Sequence, residues 1–118
     1  MKTVREVCQY AGVTRKTLFY YDRIGLLKPS VRKGSQKHKL YDEEAMERLL
    51  EIRRYREAGF DIREIREALD QDTEGRLKIC DAVIARLSAA QAETEKKISR
   101  AEMIRKELEE KKTGSAGR

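Results

Sequence analysis

The chain has 118 residues, of which 39% are hydrophobic and 41% charged, and its formal net charge at pH 7 is +6. This length suits one domain with an appendage, and the apolar fraction supports only a small core, so long charged helices are expected. No apolar run approaches the ~20 residues that span a bilayer, and no apolar segment of a signal peptide follows the N-terminus, so we expect a cytoplasmic protein with no membrane partner.

Positive charge is concentrated in the first third of the chain. Residues 1–41 carry ten Lys/Arg against two acids, net +8, whereas residues 42–72 carry six against eleven, net −5, and residues 73–118 carry eleven against eight, net +3. A basic segment of this kind indicates a polyanionic partner. A basic surface that serves only solubility would give the same totals, so charge leaves both interpretations open.

The first 25 residues predict two short helices joined by a tight turn. Apolar residues recur at helical spacing in the first, Thr3 and Glu6 form a capping box before it, and Gly12 ends it. The second helix begins near Thr14, a further N-cap candidate, and runs to about Asp22. Two such helices form a helix-turn-helix unit, a pattern that many small helical proteins contain.

A basic hairpin and two helices are predicted next. The segment VRKGSQKHKLY, residues 31–41, has Gly34–Ser35 at its centre and basic residues on both sides, which is typical of a short hairpin or wing. An amphipathic helix capped by Asp42 follows, and then a shorter helix with a capping box formed by Asp61 and Glu64. Their buried faces are expected to contain Ala45, Leu49, Ile52, Tyr55, Ile62, Ile65 and Leu69.

A single long helix is predicted from about Arg76 to Lys112, because this stretch contains neither Pro nor Gly. Such a helix cannot bury an apolar stripe against a small body, so pairing with a second copy is expected. The predicted domains are therefore residues 1–72 for the head, 73–112 for a dimerisation helix and 113–118 for a disordered tail. Heptad counting places Leu77, Ile84, Gln91, Ile98 and Arg105 at a positions, and Cys80, Leu87, Thr94, Ala101 and Leu108 at d positions.

Two long segments resemble the MerR family of winged helix-turn-helix transcription regulators. Family members share a pattern close to AGVS-x-x-TLRYYD-x-x-GLL-P, and residues 11–29 have AGVTRKTLFYYDRIGLLKP. Residues 40–69, LYDEEAMERLLEIRRYREAGFDIREIREAL, are similar to the family's second helical pair. The resemblance covers about the first 70 residues, and the long helix matches by position and character only.

The resemblance implies a fold and a function. The fold is mainly all-α: a winged helix-turn-helix domain with a small β wing, followed by a long antiparallel coiled-coil dimerisation helix. The implied function is that of a homodimeric, sequence-specific transcription regulator, which bends and untwists promoter DNA at a pseudo-palindromic operator. RNA polymerase is a further partner that the resemblance implies.

The candidate DNA contacts come from the second helix and the wing. N-terminal residues of a recognition helix usually reach the major groove, and a tyrosine hydroxyl can donate to a phosphate. Leu18 and Tyr21 share a helix face, so we expect Tyr21 to be more buried than Tyr20. The candidates are Thr14, Arg15, Lys16, Phe19, Tyr20, Tyr21, Arg32, Lys33, Lys37, His38 and Lys39.

This sequence departs from the family pattern in the helix and in the wing. Phe19 stands where the family usually has Arg, so it can make only apolar contact with DNA, for example with a thymine methyl group. In the wing, His38 and Lys39 replace the usual Tyr and Arg. Lys39 keeps the positive charge but lacks the bidentate fork of Arg.

No cofactor or metal is expected. His38 is the only histidine, and the two cysteines, Cys8 and Cys80, form no CxxC pair, which excludes a zinc ribbon and a disulfide scaffold. Cys8 lies on the apolar face of the first helix and is expected in the core. Cys80 fits either a small apolar residue at a d position or a thiol sensor. The resemblance is therefore to a short family member without an evident effector domain.

Two other functions fit parts of the sequence. An architectural or excisionase-like DNA-bending protein shares the winged fold and suits Phe19 and the Lys-rich wing, although the long helix argues against it. A helical adaptor for a partner protein would use the acidic residues 42–72. An enzyme is not expected, because the chain has no nucleophile–base pair, no paired metal-ligand spacing and no glycine-rich phosphate loop.

Overall fold

The computed structural model describes residues 1–34 and 38–116 of the chain. These residues form a mainly helical protein with one small antiparallel sheet and a long C-terminal helix, which confirms the predicted fold class. The chain divides between Asp72 and Thr73 into two units. In chain order the elements are β1 (Lys2–Thr3), α1 (Val4–Ala11), α2 (Arg15–Arg23), β2 (Val31–Lys33), β3 (His38–Tyr41), α3 (Glu43–Glu57), α4 (Ile62–Leu69) and α5 (Thr73–Ala116).

The caps of α1 and α2 set the helix-turn-helix. The capping box that begins α1 is confirmed: the Thr3 hydroxyl accepts from the Glu6 amide and the Glu6 carboxylate accepts from the Thr3 amide. Gly12 ends α1 with φ of 66°, a left-handed conformation that favours glycine. Thr14 caps α2 as predicted, accepting a hydrogen bond from the Thr17 amide at 3.1 Å.

The wing is the hairpin of β2 and β3, with Arg32 opposite Lys39 and Lys33 opposite His38. The predicted hairpin is therefore present, and β1 adds a third strand, antiparallel to β3, that the sequence does not predict. Two residues are too short to show the alternation of apolar and polar side chains by which a strand is recognised. Residues 35–37, and with them the candidate Lys37, lie outside the described residues.

The core of the first unit lies between α1, α2, α3, α4 and β3. The predicted faces of α3 and α4 are largely confirmed, since Ala45, Leu49, Ile52 and Ile65 are buried. Met46 is also buried, although it is not among the residues of the predicted face. The largest fully buried side chains in this unit are Tyr41, Leu18, Leu26, Leu27, Leu49, Ile52, Ile65 and Val7.

Three arginines of α3 and α4 hold the helix-turn-helix in place by donating to carbonyls at its helix ends. Arg53 bonds the carbonyl of Ala11 at the end of α1. Arg48 and Arg66 donate to the carbonyls of Leu26 and Ile24, at 2.9 and 2.6 Å, just after α2. These carbonyls have no partner within a helix, so the arginines satisfy them and fix the orientation of α2.

The second unit is the helix α5, whose 44 residues span ~66 Å at 1.5 Å per residue. It begins at Thr73, three residues before the predicted start, and continues to Ala116, so residues 113–116 are helical where the sequence predicts a disordered tail. The Thr113 hydroxyl donates to the Glu109 carbonyl, a bond that this residue type makes inside a helix. Among the described residues, none of the helices is both long and apolar enough to cross a membrane.

Candidate nucleic-acid interface

Helix α2 carries two rows of side chains beside its buried face, because residues three or four apart share a helix face. The row that faces the wing contains Arg15, Phe19 and Asp22. The other row contains Lys16, Tyr20 and Arg23. Cations begin both rows in the first turn of α2, where they oppose the helix dipole, so their placement is not explained by helix stability.

Asp22 joins the wing to α2. Asp22 is 6% exposed, and its carboxylate accepts two hydrogen bonds from Arg32, at 2.7 and 3.0 Å. The Lys39 ammonium lies 2.9 Å from the same carboxylate. Arg32 and Lys39 are cross-strand partners, and two like charges in that position would repel each other without Asp22.

These bonds also change the acid–base behaviour of Asp22. Hydrogen bonds from Arg32, and then from Lys39, hold the pKa of the Asp22 carboxyl at about 2, below its ordinary 3.8, although burial opposes the shift. The carboxylate therefore stays charged at any physiological pH. It neutralises part of the charge of two wing residues that are predicted to contact DNA.

Phe19 contacts the same lysine. The Lys39 ammonium lies 4.2 Å from the centroid of the Phe19 ring, which is a cation–π contact. Phe19 and Lys39 are two positions at which the sequence departs from the family pattern, and the contact links them physically. Phe19 remains 41% exposed, so its ring has free surface beside the contact.

The two tyrosines of α2 have different surroundings. Tyr20 is 39% exposed, and the guanidinium of Arg23 lies 5.4 Å from its ring centroid. Tyr21 is 6% exposed, and burial raises the pKa of its hydroxyl. The structure therefore puts Tyr20 at the surface and Tyr21 in the core, a position that does not support the predicted DNA contact by Tyr21.

The remaining candidates are exposed. Arg15 and Lys16 have no ion pair or hydrogen-bonding partner for their side chains among residues 1–34 and 38–116. Lys33 and His38 are also exposed, side by side across the hairpin. Thr14 is exposed but its hydroxyl caps α2, so it has a structural role besides any contact with DNA.

Sequence reasoning missed the structural role of Asp22, and it left Arg5 and Arg23 out of the candidates. The first 41 residues contain only two acids, and one of them, Glu6, belongs to a capping box. The other acid is Asp22. Its position in the middle of a basic segment was a signal that it pairs with a nearby cation. Arg5 gave no such signal, because the residues that it lies beside come from distant parts of the chain.

Helix α5 has an exposed apolar stripe. Leu77, Ile84, Ile98 and Leu108, from the predicted a and d positions, are between 53% and 61% exposed, and Leu87 is 40% exposed. The polar or small seam positions Gln91, Thr94 and Ala101 are exposed as well, and Cys80 is half-buried. Met103 and Ile104 extend the apolar surface beyond the predicted seam.

Neither cysteine lies in a recognisable metal site. Cys8 and Cys80 are free thiols and both are half-buried, so Cys8 is less buried than its place on the apolar face predicts. Within the described ranges, no group of three or more His, Cys, Asp or Glu side chains is placed to hold a metal ion.

Comparison with known proteins identifies the family. The family described as "MerR HTH family regulatory protein" matches residues 2–72, and the one described as "MerR, DNA binding" matches residues 46–111. The nodulation protein NolA of Bradyrhizobium elkanii is 35% identical over 112 residues, which are 95% of this chain and 47% of NolA. The chain spans less than half the length of the first curated relatives that it matches.

Two solved structures are similar over most of this chain. A MerR-family transcriptional regulator from Bacillus cereus superposes with a TM-score of 0.72 at 31% identity, over 83% of this chain and 75% of that one. The N-terminal part of the Bacillus subtilis multidrug transporter activator, MtaN, gives a TM-score of 0.69 at 31% identity, over 86% of this chain and 97% of MtaN. These relatives are regulators of transcription and not enzymes. The chain belongs to the MerR family of DNA-binding, helix-turn-helix transcription regulators.

Proposed function

We propose that this protein is a homodimeric, sequence-specific DNA-binding regulator of transcription, with residues 1–72 as the DNA-binding head and residues 73–112 as the dimerisation helix. The observation that carries the proposal is the surface of α2. Arg15 and Lys16 are exposed and unpaired among the described residues, in the first turn of a capped helix. The adjacent wing is tied to the same helix through Asp22.

In this proposal α2 enters the major groove. Arg15 and Lys16 stand at the end of the helix that reaches furthest, where they donate to base edges or phosphates. The exposed part of the Phe19 ring packs against a thymine methyl group, and the Tyr20 hydroxyl donates to a phosphate. Lys33 and His38 of the wing meet the neighbouring backbone.

The apolar stripe of α5 supports a homodimer. A helix of 44 residues that leaves Leu77, Ile84, Ile98 and Leu108 more than half exposed has apolar surface that a single chain does not cover. Antiparallel pairing with the same stripe of a second copy buries these residues at a two-fold interface. Two heads related by that symmetry would read a pseudo-palindromic operator.

We also propose that the dimer bends and untwists its promoter and acts together with RNA polymerase in the cytoplasm. MtaN, a relative of similar length, is named as an activator. Bending is measured by fluorescence energy transfer between dyes at the two ends of an operator duplex. If the energy-transfer efficiency does not change when the protein binds, bending is contradicted. The DNA-binding proposal is unaffected by that result.

The test of the main proposal is in vitro selection from random duplex DNA, with the bound pool sequenced. We expect an inverted repeat with fixed spacing between half-sites. A pool enriched only in flexible or A·T-rich DNA would indicate an architectural DNA-bending protein instead. No enrichment and no DNA affinity at moderate salt would indicate a protein-binding adaptor.

A further inference from the structure

A groove between α1, α2 and the wing lies beside the predicted DNA contacts. It has a volume of about 580 Å³. Arg5 lines it from the first turn of α1, Arg15 and Phe19 line it from α2, and His38 and Lys39 line it from β3. The groove therefore joins three segments of the head that are distant in sequence.

The charge of this groove is positive. Its described lining contains Arg5, Arg15 and Lys39, together with the titratable His38, and no acidic side chain. A second groove of similar volume, about 570 Å³, is lined by Glu6, Asp42, Glu43 and Glu47 among others, so a basic lining is not a general property of the head. A lining of this charge favours an anionic ligand.

Arg5 and Arg15 supply the charge that is free to meet a ligand. The Lys39 ammonium is already held by Asp22 at 2.9 Å, whereas neither arginine has an ion pair or a side-chain hydrogen bond among the described residues. Arg5 stands in the first turn of α1, where a positive charge opposes the helix dipole and does not stabilise the helix. Arg5 from α1 and Arg15 from α2 line the same groove, and a guanidinium group can donate a fork of hydrogen bonds to a phosphate.

We propose that the basic groove holds one phosphodiester of the DNA backbone in each half-site, with Arg5 as a DNA-contacting residue in addition to those of the recognition helix and wing. The proposal rests on the proposed function. Phe19 gives the groove an apolar wall beside its charged groups. Phosphate contacts fix position and carry no base information, so Arg5 sets register and affinity and not sequence preference.

The test uses the full chain and the operator obtained by selection. Arg5→Gln keeps a long polar side chain and removes the charge. We expect the affinity to fall several-fold, equally for the operator and for a scrambled duplex, and the log–log salt slope to fall by about one for each Arg5 that contacts a phosphate. Arg100→Gln is the matched control, because it removes an equal charge from an exposed position of α5 outside the predicted seam.

A second measurement locates the contact. Operator duplexes with a single neutral methylphosphonate are scanned through each half-site. We expect one position at which neutralisation weakens the wild type but has no further effect on Arg5→Gln. Circular dichroism melting of the variants checks that the fold is unchanged.

The outcomes separate this inference from the function on which it rests. If the wild type binds DNA, and Arg5→Gln has the same affinity and salt slope as Arg100→Gln, the groove assignment is overturned but the proposed function is not. A loss of affinity spread evenly over all phosphate positions would also overturn it, since that result indicates a long-range electrostatic field. A changed base preference would overturn it as well, since that result indicates a base contact. A wild type that binds no duplex would overturn the proposed function and this inference together.

Discussion

One carboxylate fixes the position of the wing. Asp22, near the end of α2, is buried and is bonded to Arg32 and Lys39, and Lys39 in turn lies over the Phe19 ring. A buried carboxylate is stable only when its charge is paired and hydrogen-bonded, and here both wing cations meet that need. The same contacts leave Arg32 and Lys39 with less free charge for DNA than their residue types suggest.

We expect Asp22→Asn to lower the free energy of unfolding at pH 7 by about 2 kcal/mol, since the pKa falls from 3.8 to about 2 and each unit corresponds to about 1.4 kcal/mol. The folded pKa lies below the unfolded one, so this stabilisation is complete above pH 3.8 and is lost as the pH falls through about 2. Urea unfolding of the wild type and of Asp22→Asn should therefore show a difference in the free energy of unfolding that narrows between about pH 4 and about pH 2. Asp70→Asn, at an exposed position of the chain, is the control. A difference in the free energy of unfolding that does not depend on pH would contradict the ion-pair explanation.

Lys16 and Lys39 should differ in their effect on DNA binding. Lys16 is unpaired among the described residues, whereas Lys39 is held by Asp22. We expect Lys16→Ala to lower the log–log salt slope by about one for each phosphate that the lysine neutralises, and Lys39→Ala to lower it by less. Fluorescence anisotropy with the operator at several salt concentrations measures both slopes. Equal slopes for the two variants would show that Lys39 contacts a phosphate as directly as Lys16 does.

At the scale of elements, caps and arginine bonds determine where the recognition helix starts and how it is oriented. Thr14 caps α2 by accepting from the Thr17 amide, while Arg48 and Arg66 bind carbonyls that follow the helix. The helix has only nine residues, too few to be stable in isolation. Its end bonds and its buried face therefore carry its stability.

Removal of the cap should destabilise the head. We expect Thr14→Ala to lower the free energy of unfolding by about 1 kcal/mol, because the amide at the start of α2 loses its acceptor. Thr14→Ser keeps the hydroxyl and should stay close to the wild type. Chemical denaturation followed by circular dichroism compares the three proteins. Equal losses for Ala and Ser would show that the methyl group, and not the cap, is important.

At the scale of the whole molecule, the apolar stripe of α5 and the basic face of the head belong to different units of the chain. In the proposed dimer, the pairing surface belongs to the second unit and the proposed DNA contacts belong to the first. Pairing two heads also raises the effective concentration of the second head once the first is bound. Dimerisation and operator affinity should therefore be lost together.

Leu87→Glu should disrupt the proposed dimer, because it introduces a charge at a d position of the predicted seam. We expect a monomer by sedimentation velocity and a loss of operator affinity of at least about tenfold, since the second head no longer binds as part of the same molecule. Ala89→Glu adds the same charge at an exposed position outside the seam and should remain dimeric. A Leu87→Glu protein that stays dimeric would place the interface elsewhere.

The sequence by itself determined the starts of α1, α2 and α4, the presence of the wing and the long helix, and the family. These depend on local signals: the caps at Thr3, Thr14 and Asp61, the glycine at position 12, and the ordered motif of residues 11–29. Only the tertiary structure decided which of the candidate side chains are free. Asp22 lies in a different element from Arg32 and Lys39, and Arg5 lies in a different helix from Arg15. No local pattern says that Asp22 binds both wing cations or that the two arginines line one groove. Burial of Tyr21 and exposure of Tyr20 likewise follow from the packing of α2 against the core, because the two residues are neighbours of the same type and differ only in the direction that the helix gives them.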